Sequence, residues 1–274
     1  MNGTTESEIV LQGLRPNAPR AAEIAATLVV KVFFIMAVVI LVSAKGMAVD
    51  QPQTHLFILS GQSNMTGGLK SGFCRVVEDH FGRDNVTVVY HCKSGRGIRF
   101  WDKDYRFPRD YRFPGKGPPS ERTKLQHGEV YAPMLELVRQ ACDGKSHDTT
   151  TFIWMQGESD GMRGLGAVYQ ESFMRLLGRL KTDLQRKEIG FVIGRINAAP
   201  LNGPTATFWR QVRDVQVKLA NDVPNGEWID TDDFSTPDAG VHFPKDKYPA
   251  LGARFATKSI ELIGRIEAKS AKEH

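Results

Sequence analysis

Ser63, His242 and Asp238 are residues of the types that together cleave an ester. A serine hydroxyl is a weak nucleophile until a neighbouring base takes its proton. Imidazole suits that task near neutral pH, and a carboxylate behind it orients the ring and stabilises the imidazolium. Ser63 stands in "HLFILSGQSNM", residues 55–65, where an apolar run is broken by Ser60 and Gly61 and Ser63 and Asn64 follow at once. A strand that ends in a tight turn holds a hydroxyl outward and turns backbone N–H groups toward a developing oxyanion. His242 lies in "DAGVHFPKDKYPALGARFA", a loop before a helical pattern, and Asp238 is the nearest carboxylate, with Asp230, Asp232 and Asp233 as alternatives. A serine after a strand is also an ordinary turn residue, and a loop histidine is commonly structural. The assignment therefore depends on what else the chain brings to the same place. No G-x-S-x-G pattern occurs, which disfavours the nucleophile elbow of the α/β-hydrolases.

Two further clusters carry polar groups suited to such a site. "WMQGESD", residues 154–160, ends an apolar run with Gln156, Glu158 and Asp160. Gln156 is a candidate oxyanion donor, and Glu158 or Asp160 a brace for the site. Gly95, in "SGRGI", offers a backbone N–H for the same oxygen. The competing reading of both clusters is a solvated turn.

The elements that would position these groups are legible from periodicity. Apolar runs, most of them rich in β-branched and aromatic residues, predict strands over residues 56–59, 86–91, 149–155, 190–196 and 227–232. Apolar residues at helical spacing predict helices over residues 130–142, 169–185, 208–220 and 248–268. Alternation of the two implies an α/β fold, a central, mostly parallel five-stranded sheet covered on both faces. Ligands of such sheets sit beyond the carboxyl ends of the strands, and all the polar clusters follow strands at that edge. Residues 101–124 break the alternation. "DYRFP" occurs there twice, followed by a Gly/Pro-rich turn, and reads first as a solvated loop and second as an aromatic and arginine wall for a sugar.

Composition narrows the class. The chain has 274 residues and a net charge of +5, with a 41% hydrophobic fraction typical of a globular domain. The basic excess is concentrated in the loop 102–124 rather than on a face, so no nucleic-acid footprint is expected, and no Cys/His zinc spacing occurs. Cys74, Cys92 and Cys142 are odd in number: either Cys74 and Cys92 pair and one thiol is free, or all three are buried thiols. From Ile24 to Ala44 the chain is almost wholly apolar, with Lys31 inside the run. The segment 1–48 is read as an export signal cleaved near Val49, or as an uncleaved membrane anchor, with 49–274 as the folded domain. The lysine inside the run and the short uninterrupted core favour cleavage and a secreted or periplasmic protein.

Together, "SGQSNM", "SGRGIRFW", "WMQGESD" and "DAGVHF" resemble the SGNH hydrolase superfamily, in the branch of the sialate O-acetylesterase-like proteins and carbohydrate esterase family 6. The resemblance spans nearly all of the chain after residue 55. It implies a three-layer α/β/α sandwich and cofactor-free, metal-free deacetylation of acetylated oligo- or polysaccharides. By position, Ser63 matches the nucleophile, His242 the base, Gly95 the second-block glycine and Gln156 the oxyanion position; Asn64 and Glu158, in the same motifs, are counted with Gly95 and Gln156 as oxyanion or substrate-binding candidates. One departure stands out. The family's acid lies three residues before the histidine, where this chain has Ala239, and its aspartate is one place earlier, at Asp238.

Overall fold

The computed structural model describes residues 52–198, 205–236 and 240–273. The segment 1–48 and Asp238 lie outside the described residues. Five strands form one parallel sheet: β1 (His55–Gly61), β2 (Val86–Cys92), β3 (Thr149–Met155), β4 (Gly190–Gly194) and β5 (Gly226–Ile229), in the order β2-β1-β3-β4-β5. β4 and β5 end before the predicted limits. Beyond Gly194 the backbone turns to side-chain partners: the Ile196 N–H donates to Gln216 Oε1 at 3.0 Å.

Among the described residues, five long helices cover the sheet: α1 (Gly67–Phe81), α2 (Tyr131–Ala141), α3 (Tyr169–Asp183), α4 (Ala206–Asp222) and α5 (Tyr248–Glu273). The period-2 alternation of the strands splits the core into two layers. Leu56 and Ile58 of β1 pack with Phe152, Trp154, Phe173 and Trp209 toward α2, α3 and α4. Phe57 and Leu59 pack with Leu69, Phe73, Leu251 and Phe255 toward α1 and α5. The three layers expected from the sequence are therefore present.

Helix α1 has no counterpart among the sequence predictions. Gly67, Gly68 and Gly72 lower its intrinsic helix propensity and blur its apolar stripe. Packing explains one of them and its mate. A Cβ on Gly72 would lie 2.0 Å from the Pro249 carbonyl oxygen, and one on Gly252 2.0 Å from that of Leu69. The two glycines let α1 and α5 cross in backbone contact.

The loop 101–124 is not simply solvated. Tyr105, Phe107, Tyr111 and Phe113 form a ring cluster with His127; Phe107 stacks on Tyr111 at 5.3 Å. Tyr105 is buried, Asp102 is buried against Arg175 at 2.8 Å, and the Tyr111 hydroxyl donates to the Arg163 carbonyl at 2.9 Å. The apolar halves of "DYRFP" thus fold inward, while Arg106, Arg109 and Arg112 stay exposed. Of the two readings left open for the cysteines, the structure shows the one without a Cys74–Cys92 bridge. Cys74, Cys92 and Cys142 are all free and half-buried, and Cys92 Sγ lies 3.2 Å from the Tyr90 hydroxyl.

Candidate active site

The register aligns the carboxyl ends of three strands. Gly61 of β1 is level with Cys92 of β2 and with Met155 of β3. Ser63, Gly95 and Gln156 follow these three residues, so they gather at one edge of the sheet, around the switch point between β1 and β3. Gly61 makes the sharp exit possible. Its φ of +151° is glycine territory, and a Cβ there would lie 2.0 Å from the Met155 carbonyl oxygen. The chain then turns back: the Gln62 N–H donates to Met155 O at 2.9 Å, and the Met65 N–H to Gln62 O at 2.9 Å. The turn leaves Ser63 half-buried between fully buried neighbours Gln62 and Asn64.

His242 reaches Ser63 from the loop after β5. Its Nε2 lies 2.9 Å from Ser63 Oγ across a separation of 179 residues. That is the distance over which a hydroxyl proton passes to an unprotonated ring nitrogen. A recess of about 500 Å³ opens beside this pair, lined by Thr66, Gly68, His242, Phe243, Lys245 and Tyr248. A second recess of similar size lies among Leu177, Ile189, Val223 and Ile266 at the opposite end of the sheet, remote from Ser63.

The alternative acids for His242 are committed elsewhere. Asp232 pairs with Arg213 and Arg195, Asp230 with Arg195, and Asp233 with Arg254. The Arg254 hydrogen bond holds Asp233 below the usual carboxylate range.

Gln156 is placed differently from the oxyanion donor expected of it. Its amide nitrogen is fully buried and faces three acceptors: Asp160 Oδ2 at 2.6 Å, the Arg96 carbonyl at 3.1 Å and Gln62 Oε1 at 3.2 Å. Two N–H groups shared among three acceptors leave no donor for a substrate oxygen. Gln156 instead ties the β3 turn to the Gly95 loop and to the residue before Ser63. Asp160 extends the tie by accepting from the Ile98 N–H at 2.9 Å. Gly95 itself sits in the turn after β2 with a φ of +69°, its Cα side open.

Asn64 and Glu158 form a second buried connection. The Asn64 amide donates to Glu158 Oε1 at 2.5 Å and to the Val241 carbonyl at 2.9 Å, while Asn64 Oδ1 accepts from the Tyr248 hydroxyl at 2.8 Å. Glu158 and Asp160 are both fully buried. Burial pushes Glu158 up to about 7 despite backbone N–H donors and the Asn64 amide, and Asp160 up to about 6 despite Gln156, Ile98 and nearby arginines. Neither Asn64 nor Glu158 faces open solvent, so both brace the site from below. Among the described residues no cluster of metal-ligating side chains is present.

One residue that sequence reasoning missed belongs to the same assembly. Asn197, just past β4, is fully buried and donates from its amide to the Gly240 carbonyl at 2.9 Å. Its only sequence signal is a polar residue directly after an apolar strand, which any strand end provides.

A parallel β2-β1-β3-β4-β5 sheet between two helical layers is a three-layer α/β/α fold, and a serine and a histidine meet at its carboxyl edge. The family model described as "SASA: Carbohydrate esterase, sialic acid-specific acetylesterase" matches residues 68–261, more than half of the chain. The chain belongs to this family, and so to the carboxylic ester hydrolases that act on carbohydrates. The matched span begins just after Ser63 and includes His242. Among solved structures, a protein from Arabidopsis thaliana is similar at 16% identity and a TM-score of 0.57, covering 77% of this chain and 99% of that one. NanS is similar at 11% identity and 0.54, covering 79% and 100%. A carbohydrate acetylesterase from Xanthomonas citri is similar at 14% identity and 0.52, covering 73% of this chain and 54% of that one. At these identities the likenesses show the fold. No curated protein matches the chain.

Proposed function

We propose that the protein is an exported serine esterase that removes O-acetyl groups from oligo- or polysaccharides. The observation that carries this reading is the 2.9 Å contact between Ser63 Oγ and His242 Nε2 at the carboxyl edge of the sheet. In this mechanism His242 takes the Ser63 proton as Oγ attacks the acetyl carbonyl carbon. The carbonyl π pair moves to its oxygen, which the backbone N–H groups of Ser63 and Gly95 hold. Collapse of the tetrahedral species expels the sugar alkoxide, and His242 returns the proton to it. A water, deprotonated by His242, then attacks the acetyl-Ser63 ester; acetate leaves and Ser63 regains its proton.

Asp238 is the proposed acid behind His242, displaced by one position from the family spacing. Glu158, Asn64 and Gln156 hold the turns rather than touch the substrate. The recess beside His242 lies on the side where the leaving alcohol must receive its proton, and there it accommodates the sugar. Residues 1–48 act as the export signal, with the mature chain beginning near Val49. The test is turnover of an acetylated sugar by the wild type and by Ser63→Ala. Loss of acetate release in the variant is expected, and equal rates would overturn the reading.

A further inference from the structure

The loop that carries His242 is gripped from two sides by buried amides. Asn64, from the β1 turn, donates to the Val241 carbonyl at 2.9 Å; Asn197, from the β4 end, donates to the Gly240 carbonyl at 2.9 Å. These are the two consecutive carbonyls immediately before His242. Both asparagines have no exposed surface, so neither amide trades its partner for bulk water.

Each clamp is itself fixed. The Asn64 side chain is fully engaged, with both N–H groups donated and Oδ1 accepting from Tyr248, so the amide orientation is determined by its neighbours. Asn197 is held through its backbone: its carbonyl accepts from Trp209 Nε1 at 2.7 Å, and the next N–H, of Ala198, donates to Ser235 Oγ at 3.2 Å. The preceding residue, Ile196, donates to Gln216 and accepts from Arg213. One clamp is thus anchored to the strand that presents Ser63 and the other to α4. Gly240 between them adopts a φ of +59°, a conformation that costs little only for glycine.

We infer that Asn64 and Asn197 form a pair of positioning residues that set the His242 ring against Ser63 by holding the Gly240 and Val241 carbonyls. A carboxylate behind the ring orients it through one nitrogen; the two amides fix the backbone from which the ring projects. This division of labour makes a displaced acid tolerable, because the ring's place does not depend on the acid alone. The inference rests on the Ser63–His242 reading of the site.

The test is a double-mutant cycle between Asn197 and His242, read on acetyl-ester hydrolysis. Asn197→Ala is expected to lower kcat on the order of 10²-fold with KM unchanged, as a misplaced catalytic group does. In the His242→Ala background the same change should alter the residual rate by no more than about twofold. A wild-type kcat in Asn197→Ala, or an equal loss in both backgrounds, would assign Asn197 to the scaffold alone and overturn the inference. Asn197→Asp, which keeps the size but turns an oxygen toward the Gly240 carbonyl, is measured in the same two backgrounds and decides the matter if the alanine variant does not fold. Full activity of His242→Ala alone would instead overturn the underlying reading of the site.

Discussion

At the scale of single residues, the site is a short exposed surface resting on buried polar groups. His242 is exposed and Ser63 half-buried, whereas Gln62, Asn64, Gln156, Glu158 and Asp160 are fully or nearly fully buried. Replacing His242 by alanine should slow ester hydrolysis about 10²–10⁴-fold, the contribution typical of a positioned general base; initial rates with a soluble acetyl ester measure it. Glu158 supplies a prediction about stability. Its ordinary value is 4.5 and burial raises it to about 7 in the folded protein. The folded chain therefore holds more protons than the unfolded chain between those values, so this contribution is complete below the unfolded value and is lost as pH rises through the folded one. Asp160, raised to about 6, acts in the same direction. Glu158→Gln keeps an oxygen for the Asn64 amide and removes that slope. Its melting temperature should exceed that of the wild type at roughly pH 8 and converge with it at roughly pH 5. Divergence in the opposite sense would contradict the buried-acid account.

At the scale of elements, the strands and four of the five helices were legible because each has a clear period or a run of β-branched residues. Helix α1 was not, because Gly67, Gly68 and Gly72 weaken its helical signal, and only Gly72 is required by close packing. Its cost should be visible experimentally. Gly72→Ala drives a methyl into the Pro249 carbonyl and should destabilise the fold by about 1–3 kcal/mol, as overpacking does. For a chain of this size that lowers the melting temperature by several degrees, at about 2–4 °C per kcal/mol. An unchanged melting temperature would mean that the α1–α5 crossing relaxes. The same limit applied at the site. Ser63 and His242 could be singled out because the chemistry needs their types at strand ends. The direction of the Gln156 amide and the reach of Asn197 to Gly240 could not, because both depend on which carbonyls the turns present after folding.

At the scale of the whole molecule, sequence order and sheet order differ in the way that creates the site. β1 lies between β2 and β3, so the turns after all three strands face one another although Gly95 and Gln156 are far apart in the chain. The aligned ends of those strands bring the polar clusters together; no one of them is diagnostic alone. Two further predictions concern the proposed export and the thiols. Export should release a mature chain beginning near Val49, which intact-mass analysis of the secreted product measures; a product retaining residues 1–48 would favour the anchored form. Thiol titration of the unfolded, unreduced protein should find Cys74, Cys92 and Cys142 all reactive, and a single reactive thiol would show a bridge. The central claim, that Ser63 is the nucleophile of an acyl-enzyme, is tested most directly by locating the adduct of a serine-directed fluorophosphonate. Peptide mapping should find one label per chain on Ser63 in the wild type, with labelling and acetate release abolished together in Ser63→Ala. A label on another residue, or an unlabelled wild-type protein that still releases acetate, would contradict it.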